Sequence, residues 1–431
     1  MVINASIGAS LDGLSVRVMV IFLVSGALLA SCADAKPTVD NSIDALPRLI
    51  AVPETRVGSA DDPEVGFSYL SIADVDSDGN VYALEAADPE IRVYDSNGRL
   101  IRRIGAPGEG PGEFQSAPWF GVHGDTVWAF DLGARRITIF DRTGTVLSTA
   151  RTEGLRIGLV GRYGYVLPSH MRSDGTFMGW LSLVGASPGD APPAVDPEER
   201  VPIPHIRFSA AGEVIDTLGW MPGPPPRMQP PPGYGVDRYR LVTIGSRRYP
   251  VPDPPTELPT WLSVDDGYLV VDVPYATDAN VGAFTVTRFG LAGDTVYNQV
   301  LTYQPSSYTA EELDSAAAGG ARGFGSAVVP EAEARVAQNV LRSELRFPAL
   351  KLPIRYSWIA QDDRVWLQRN EIPGAPARWI VLEADGRPRG ELELPPDTRP
   401  LWSSGDTLWA AEYDETDVPW LVRFRIDRAP S

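Results

Sequence analysis

The sequence predicts an all-β fold: a single six-bladed β-propeller of four-stranded antiparallel blades. The prediction comes from an internal repeat of short alternating strands, from two strand patterns that recur along the chain, and from a composition rich in turn residues. The chain has 41 glycines and 40 prolines in 431 residues, which favours many turns and short strands over long helices.

The repeat is clearest in residues 72–104 and 121–150, which are two copies of one unit. Each copy has four short apolar stretches of alternating polarity separated by turns that end in glycine, a pattern typical of a four-stranded antiparallel meander. The predicted second strands are residues 79–85, 125–131, 162–168, 266–272, 363–369 and 406–412. The predicted third strands are residues 91–98, 137–144, 206–212, 286–293, 379–386 and 421–427. Six such units bury both faces of each sheet when they are arranged radially.

The sixth unit ends after its third strand, so its outer strand has to come from elsewhere. Residues 47–53 are apolar and otherwise unassigned. We expect them to close the ring by pairing with the last strand, which protects a sheet edge that would otherwise be exposed. The predicted propeller therefore spans residues 47–428.

Three segments carry a family resemblance. Residues 78–82 (DGNVY), 91–95 (IRVYD) and 105–114 (GAPGEGPGEF) resemble NHL-type repeats. Over residues 66–150 the chain is similar to six-bladed propeller lipoproteins of the bacterial cell envelope, and the similarity weakens from there to residue 427. The resemblance implies the fold and a place in the envelope, and it does not imply a particular activity.

The N-terminus has the features of an export signal. Residues 18–30 form an apolar run after Arg17, and the following Leu29-Ala30-Ser31-Cys32 resembles the lipobox of bacterial lipoproteins. This resemblance implies a signal peptide over residues 1–31, a lipid on Cys32 and a flexible tether over residues 32–46. The alternative is a signal anchor with a chance cysteine. The expected location is the cell envelope, on the periplasmic or surface face of the outer membrane in a Gram-negative bacterium.

The charge of the chain limits its partners. The formal net charge is −18, which argues against nucleic acid and against a cationic contact with anionic lipid. The expected membrane contact is therefore the lipid on Cys32 alone. We predict no cofactor.

Three long insertions fall on the second-to-third turns and the links between units, while the other turns stay short. They are residues 187–204, 221–259 and 304–353. The last is predicted to be a small helical insertion between blades four and five, with a capping box at Thr309 and Glu312 and an apolar stripe of Val336, Val340, Leu341 and Leu345. Because function commonly lies on loops held by a rigid scaffold, this face is the candidate binding face. Neutral variation in surface loops is the alternative.

The insertion 221–259 supplies the candidate ligand residues, because arginine and tyrosine are concentrated there. They are Arg238, Arg240, Arg247, Arg248, Tyr239 and Tyr249. An arginine fork suits a small anionic ligand. The alternative is that these arginines pair with the acidic body of the protein and lie over it.

Two further patterns suggest chemistry. Asp74, Asp76, Asp78 and Glu85 match the calcium loop of EF-hands, but alternating strands flank them and the expectation is no metal. The three histidines, His123, His170 and His205, do not occupy equivalent positions in the repeat, so they do not match the zinc-binding histidines of some NHL-like lyases. We therefore expect a scaffold that binds an envelope protein, a peptide or a small ligand. The alternative is a hydrolase or lyase with its site at the channel mouth.

Overall fold

The computed structural model describes residues 41–62, 64–152, 156–159, 162–184, 203–221, 239–245, 247–252, 260–321, 330–370, 376–396 and 398–429. Residues 1–40 lie outside this set, and with them the predicted signal peptide and the lipidation site at Cys32. Also outside it are residues 185–202 and 222–238. In the part of the chain that is described, neither helix has the length and apolarity needed to cross a membrane.

Three separate antiparallel sheets have four strands each, ordered as in the chain. The first contains β2 (Ala73–Val75), β3 (Val81–Glu85), β4 (Glu90–Tyr94) and β5 (Leu100–Ile104). The second contains β6 (Trp119–His123), β7 (Thr126–Asp131), β8 (Arg136–Asp141) and β9 (Val146–Arg151). The fourth sheet along the chain contains β17 (Thr260–Val264), β18 (Gly267–Asp272), β19 (Gly282–Gly290) and β20 (Thr295–Tyr303).

The third sheet has five strands. They are β10 (Arg156–Leu159), β11 (Arg162–Met171), β12 (Phe177–Val184), β13 (Ile203–Phe208) and β14 (Val214–Met221). The sequence placed the second strand of this unit at residues 162–168, and that assignment is wrong. Residues 162–171 precede the turn at Arg172–Gly175, so they form the strand before it, and β12 is the second strand of the meander.

The remaining body strands form one sheet of eight, in the order β21-β22-β23-β24-β1-β27-β26-β25. Their bounds are β1 (Arg48–Val57), β21 (Ile354–Ile359), β22 (Val365–Arg369), β23 (Ala377–Leu382), β24 (Pro388–Leu394), β25 (Thr398–Ser404), β26 (Thr407–Tyr413) and β27 (Pro419–Arg428). β1 pairs antiparallel with β27 from Leu49 to Val57. It also pairs in parallel with β24 at Arg48, Leu49 and Ile50, and this parallel pairing joins two antiparallel halves into one sheet.

The arrangement is propeller-like and mostly β, with four-stranded antiparallel sheets as its unit. The predicted count of six blades is not what the division into sheets gives. Four sheets of four or five strands are separate, and the eight-stranded sheet is continuous because of the pairing between β1 and β24.

Local turn chemistry explains why the strands recur. At Asp76, Asp95 and Asp141 the carboxylate accepts backbone N–H bonds from the residues two and four positions later, at 2.8–3.0 Å. Three residues after each aspartate stands a glycine with a φ of 81° to 92°, a conformation that costs glycine least. These short turns join first to second and third to fourth strands.

The core lies between neighbouring sheets. One apolar cluster joins the first sheet to the second through Tyr82 and Phe140. Another joins the second to the third through Trp128 and Phe177, whose rings meet edge to face with centroids 5.4 Å apart. Each sheet therefore buries its faces against its neighbours, as the repeat requires.

The predicted tether of residues 32–46 ends too late, because the chain already packs against the body from Ser42. Ile43, in a short 3-10 turn (Ile43–Ala45), has no solvent exposure and belongs to the core shared by the fourth sheet and β22. Ser42 forms a parallel bridge with Thr302. Leu46 packs against the same core, but the apolar residues of this mostly polar stretch follow no strand or helix pattern that would predict the contact.

Candidate functional site

The four-stranded meanders have two different ends. One end carries the short aspartate-glycine turns, and we call it the short-turn end. The opposite end carries the second-to-third turns and the links between sheets, and we call it the link face. The three insertions connect strands at the link face.

The helical insertion forms two helices, α1 (Ala310–Ala321) and α2 (Glu331–Glu344). The predicted capping box is present: the Glu312 backbone N–H donates to Thr309 Oγ1 at 3.1 Å, and the Thr309 N–H donates to Glu312 Oε2 at 2.7 Å. The predicted apolar stripe is only half right. Leu341 is fully buried, but Val336 is 60% exposed, because the helix turns Ala337 and Leu341 inward instead.

A β-hairpin from the insertion 221–259 packs against these helices. Its strands are β15 (Tyr239–Ile244) and β16 (Arg247–Pro252). Tyr249 is buried with Ala317, Ala337 and Leu341, and its hydroxyl donates to Glu333 Oε1 at 2.8 Å. Two insertions that are separate in sequence thus share one small core at the link face.

The structure describes only part of the predicted arginine–tyrosine site. The prediction is wrong for Tyr249. This residue is 1% exposed and packs in the hairpin–helix core, so it offers no contact surface to a ligand. Arg247 and Arg248 are neighbours in β16, paired with Ile244 and Thr243. Arg238 lies outside the described residues, as do the side chains of Tyr239, Arg240, Arg247 and Arg248, so their role stays a prediction.

A pocket of about 140 Å³ opens beside the helical insertion, between the end of β20 and the beginning of β21. Its lining side chains include Tyr303, Ser306, Lys351, Arg369, Asn370 and Arg378. Tyr303 is 4% exposed, and its hydroxyl has no hydrogen-bond partner among the described residues. Sequence reasoning missed this pocket, because its lining comes from segments that are far apart in the chain.

Carboxylates hold the cations of this pocket in place. Lys351 Nζ lies 2.6 Å from Glu312 Oε1, so the capping residue of α1 is tied to the pocket. Arg369 pairs with Asp44 at 3.0 Å and with Glu391 at 2.9 Å, and it also donates to the Ile43 carbonyl. Burial opposes the shift, but the contact with Lys351 and the capping bonds to Thr309 lower the pKa of Glu312.

The short-turn end is built differently, because arginines join the acidic turns of neighbouring sheets. Arg142 contacts Asp78 at 2.9 Å and Asp125 at 2.9 Å, which lie in the first turns of the first and second sheets. Arg288 bridges Asp266 and Asp363 in the same way between the fourth sheet and β21–β24. These carboxylates are therefore engaged in contacts between sheets.

The four acids that match the calcium-loop pattern do not form one group. Asp76 accepts hydrogen bonds from its own turn, and Asp74 accepts one from the Val122 N–H at 2.7 Å. Glu85 lies at the other end of β3, where it accepts bonds from the Ser68 N–H at 2.8 Å and the Ala87 N–H at 2.9 Å. Within the described ranges, no three His, Cys, Asp or Glu side chains are grouped so as to hold a metal ion.

Of the three histidines, His123 ends β6, and the other two lie in different environments. His170 is at the short-turn end, with Nε2 3.8 Å from Asp265 Oδ1, and burial lowers its pKa. His205 is buried between the third and fourth sheets, against the rings of Trp261 and Tyr268, and burial lowers its pKa to about 4. His205 Nε2 lies 3.3 Å from Ser263 Oγ. Asp74 has its pKa raised to about 6 by burial, but its carboxylate is held by the N–H groups of Val75 and Val122.

No family model matches the chain, and no curated protein matches it. Solved structures match over most of the chain, but at low sequence identity. A member of the DUF4221 family from Bacteroides vulgatus is 12% identical, with 90% of this chain and 100% of that chain covered and a TM-score of 0.44. Virginiamycin B lyase from Staphylococcus aureus is 12% identical, with 90% and 97% covered and a TM-score of 0.31. At these identities and scores, nothing about their functions transfers to this chain.

Proposed function

We propose that the protein is a lipid-anchored, extracytoplasmic six-bladed propeller that serves as a binding scaffold, with an envelope protein, a peptide or a small anionic ligand bound on the link face. The count of six takes the eight-stranded sheet as two blades joined by β1 and the five-stranded sheet as one. Anchoring at Cys32 rests on the lipobox resemblance in the sequence.

The observation that carries the proposal is the joint packing of two insertions at one end of the sheets. The hairpin β15–β16 and the helices α1 and α2 bury a shared core around Tyr249 and Leu341. Ordering this many residues outside the blades costs conformational entropy, and the closing of the sheets does not need it. α2 also leaves the apolar side chains of Val336 and Val340 exposed, at 60% and 37%.

Binding is favoured over catalysis for a physical reason. A hydrolase or lyase needs a nucleophile or base together with a partner that orients it. His170 and His205 lie in separate places, and the Nδ1 of His205 has no partner among the described residues to orient its ring. The acids at the short-turn end serve contacts between sheets.

The test compares the two ends of the molecule. A photo-crosslinking amino acid is placed at Val336 on the link face or at Asn97, an exposed residue in a short turn, and the full-length protein is irradiated in cells. We expect a discrete adduct from position 336 and none from position 97. Replacing Arg238, Arg240, Arg247 and Arg248 with alanine should remove the adduct and leave the melting temperature unchanged. Adducts from position 97 alone, or equally from both positions, would contradict the proposal.

A further inference from the structure

The pocket beside the helical insertion has an unusual charge for this chain. Acidic residues outnumber basic ones by 56 to 38, yet the charged side chains in the lining are Lys351, Arg369 and Arg378, and none of the described lining residues is a carboxylate. An ammonium or a guanidinium carries more N–H donors than one carboxylate contact uses. Each of the three cations already contacts a carboxylate outside the lining, and Arg378 shares Glu391 with Arg369 at 3.5 Å. What the pocket offers to a ligand is therefore the N–H donors that these contacts leave over.

The repeat shows that Arg369 replaces an acid. The second strand ends in Glu85 in the first sheet and in Asp131 in the second, and both accept N–H bonds from the link that enters their sheet. The corresponding segment of β22, residues 363–369, ends in Arg369 instead. The third sheet also lacks the acid, since Leu181 in β12 stands at this position, but at β22 the acid is exchanged for a guanidinium and a pocket lies beside it.

Neighbouring groups fix the side chains of Lys351 and Arg369 in position before a ligand binds. Arg369 is 12% exposed and is fixed by Asp44, Glu391 and the Ile43 carbonyl. Lys351 is 16% exposed and is fixed by Glu312. Side chains that are already ordered lose little conformational entropy when a ligand binds.

The size of the pocket limits the ligand. Its volume of about 140 Å³ has room for several water-sized groups, since one such group needs about 10–15 Å³ on this measure. A carboxylate on a short carbon chain fits in this space. The planar fork of arginine matches the two oxygens of a carboxylate.

We propose that this pocket binds a small carboxylate, which Lys351 and Arg369 hold with Arg378 and Asn370 at its rim. The inference deepens the proposed function, since it names the ligand class for one site on the link face.

The probe is malonate, titrated into the full-length protein by calorimetry and by thermal shift, with sodium chloride at equal ionic strength and uncharged malonamide as controls. We expect malonate to bind and malonamide not to bind. Arg369→Gln and Lys351→Gln should each weaken malonate binding about tenfold or more, the loss expected for one charge-assisted contact. Arg335→Gln is the matched control, since Arg335 is 74% exposed on α2 and lies outside the pocket.

Arg369→Gln removes the cation that pairs with Asp44 and the nearer of the two cations at Glu391. If this variant does not fold, Lys351→Gln and the half-exposed Arg378→Gln decide the matter. Absence of malonate binding overturns the inference, and so does binding that the pocket variants leave unchanged. Inorganic phosphate bound as tightly as malonate overturns the carboxylate assignment. The crosslinking test is independent: an adduct at position 336 without malonate binding overturns only the pocket, and malonate binding without an adduct overturns only the partner.

Discussion

The acid at the end of the second strand should be a main support of the links between sheets, and Asp131 is the place to test it. Asp131 is buried, with only 1% of its surface exposed. It accepts bonds from the Gln115 N–H at 2.6 Å, the Ser116 hydroxyl at 2.7 Å and the Ala134 N–H at 3.2 Å. One carboxylate thus fixes both the link before the sheet and the turn after β7.

Asp131→Ala removes the acceptor and leaves two backbone donors behind. An unsatisfied buried donor costs about 1–3 kcal/mol. Because Gln115 is itself exposed, water can replace part of its bond, so we expect a loss of roughly 2–4 kcal/mol in the free energy of unfolding. With an unfolding entropy of about 2.1 cal/mol/K per residue over roughly 380 residues, each kcal/mol lowers the melting temperature by about 1.2 °C, so the melting temperature should fall by roughly 2–5 °C. Asp131→Asn keeps one acceptor oxygen and should lie between the parent and the alanine variant.

Asp125→Ala is the control, measured in the same thermal and denaturant melts. Its side chain is 90% exposed and pairs with Arg142 at 2.9 Å, and an exposed pair of this kind is worth about 0–1 kcal/mol. Equal melting temperatures for the Asp131 and Asp125 variants would refute the idea that the acid holds the link.

Three other predictions follow from the ends of the chain and from a buried histidine. Cys32→Ser should abolish membrane association and change mobility on a gel, and a variant that still fractionates with membranes would rule out the lipid anchor. Deleting residues 33–57 should lower the melting temperature strongly, because it removes Ile43 and the strand that pairs with β27, whereas deleting 33–40 should not; equal melts for both would show that the closing strand contributes nothing. His205→Gln should reduce the pH dependence of stability between pH 6.5 and 4. The pKa of His205 is lowered to about 4 in the folded protein, so the unfolded chain takes up a proton first as the pH falls through this window, which costs about 3 kcal/mol of stability in the parent. Denaturant melts of both proteins at pH 7 and pH 4.5 measure how much free energy of unfolding is lost between the two pH values. An equal loss in the parent and in the His205 variant would contradict the prediction.

The parts of the fold that sequence predicts are those with local causes. The turn at Asp76–Gly79 is encoded within four residues, because the aspartate accepts the turn N–H groups and the glycine takes the positive φ. The same logic was available for Arg172-Ser173-Asp174-Gly175, where the Asp174 carboxylate accepts from the Thr176 N–H at 3.0 Å. Its Asp-Gly pair marks the first turn of the third sheet, and reading it would have corrected the assignment of residues 162–168.

The parts that sequence did not predict depend on contacts between distant segments. Ile43 becomes buried only because the fourth sheet and β22 meet beside it. The pocket forms because Ser306, Lys351 and Arg369 lie together in the fold. Their spacing in the sequence does not indicate this. One signal was nevertheless present: Arg369 stands where Glu85 and Asp131 stand in their own repeats, and a reversed charge in a repeat marks a site with a different role.

The two ends of the molecule are consequently under different physical constraints. At the short-turn end, Arg142 and Arg288 each join acids from two neighbouring sheets, so loss of either arginine removes contacts to two sheets at once. At the link face, the hairpin and the helices pack mainly on one another around Tyr249, so their outer residues can change with little effect on the blades. Substitutions such as Val336→Ala should therefore leave the melting temperature almost unchanged. The outer residues of the link face can therefore change at low cost in stability, while the sheets hold that face in a fixed position. This is the physical basis for placing recognition at the link face.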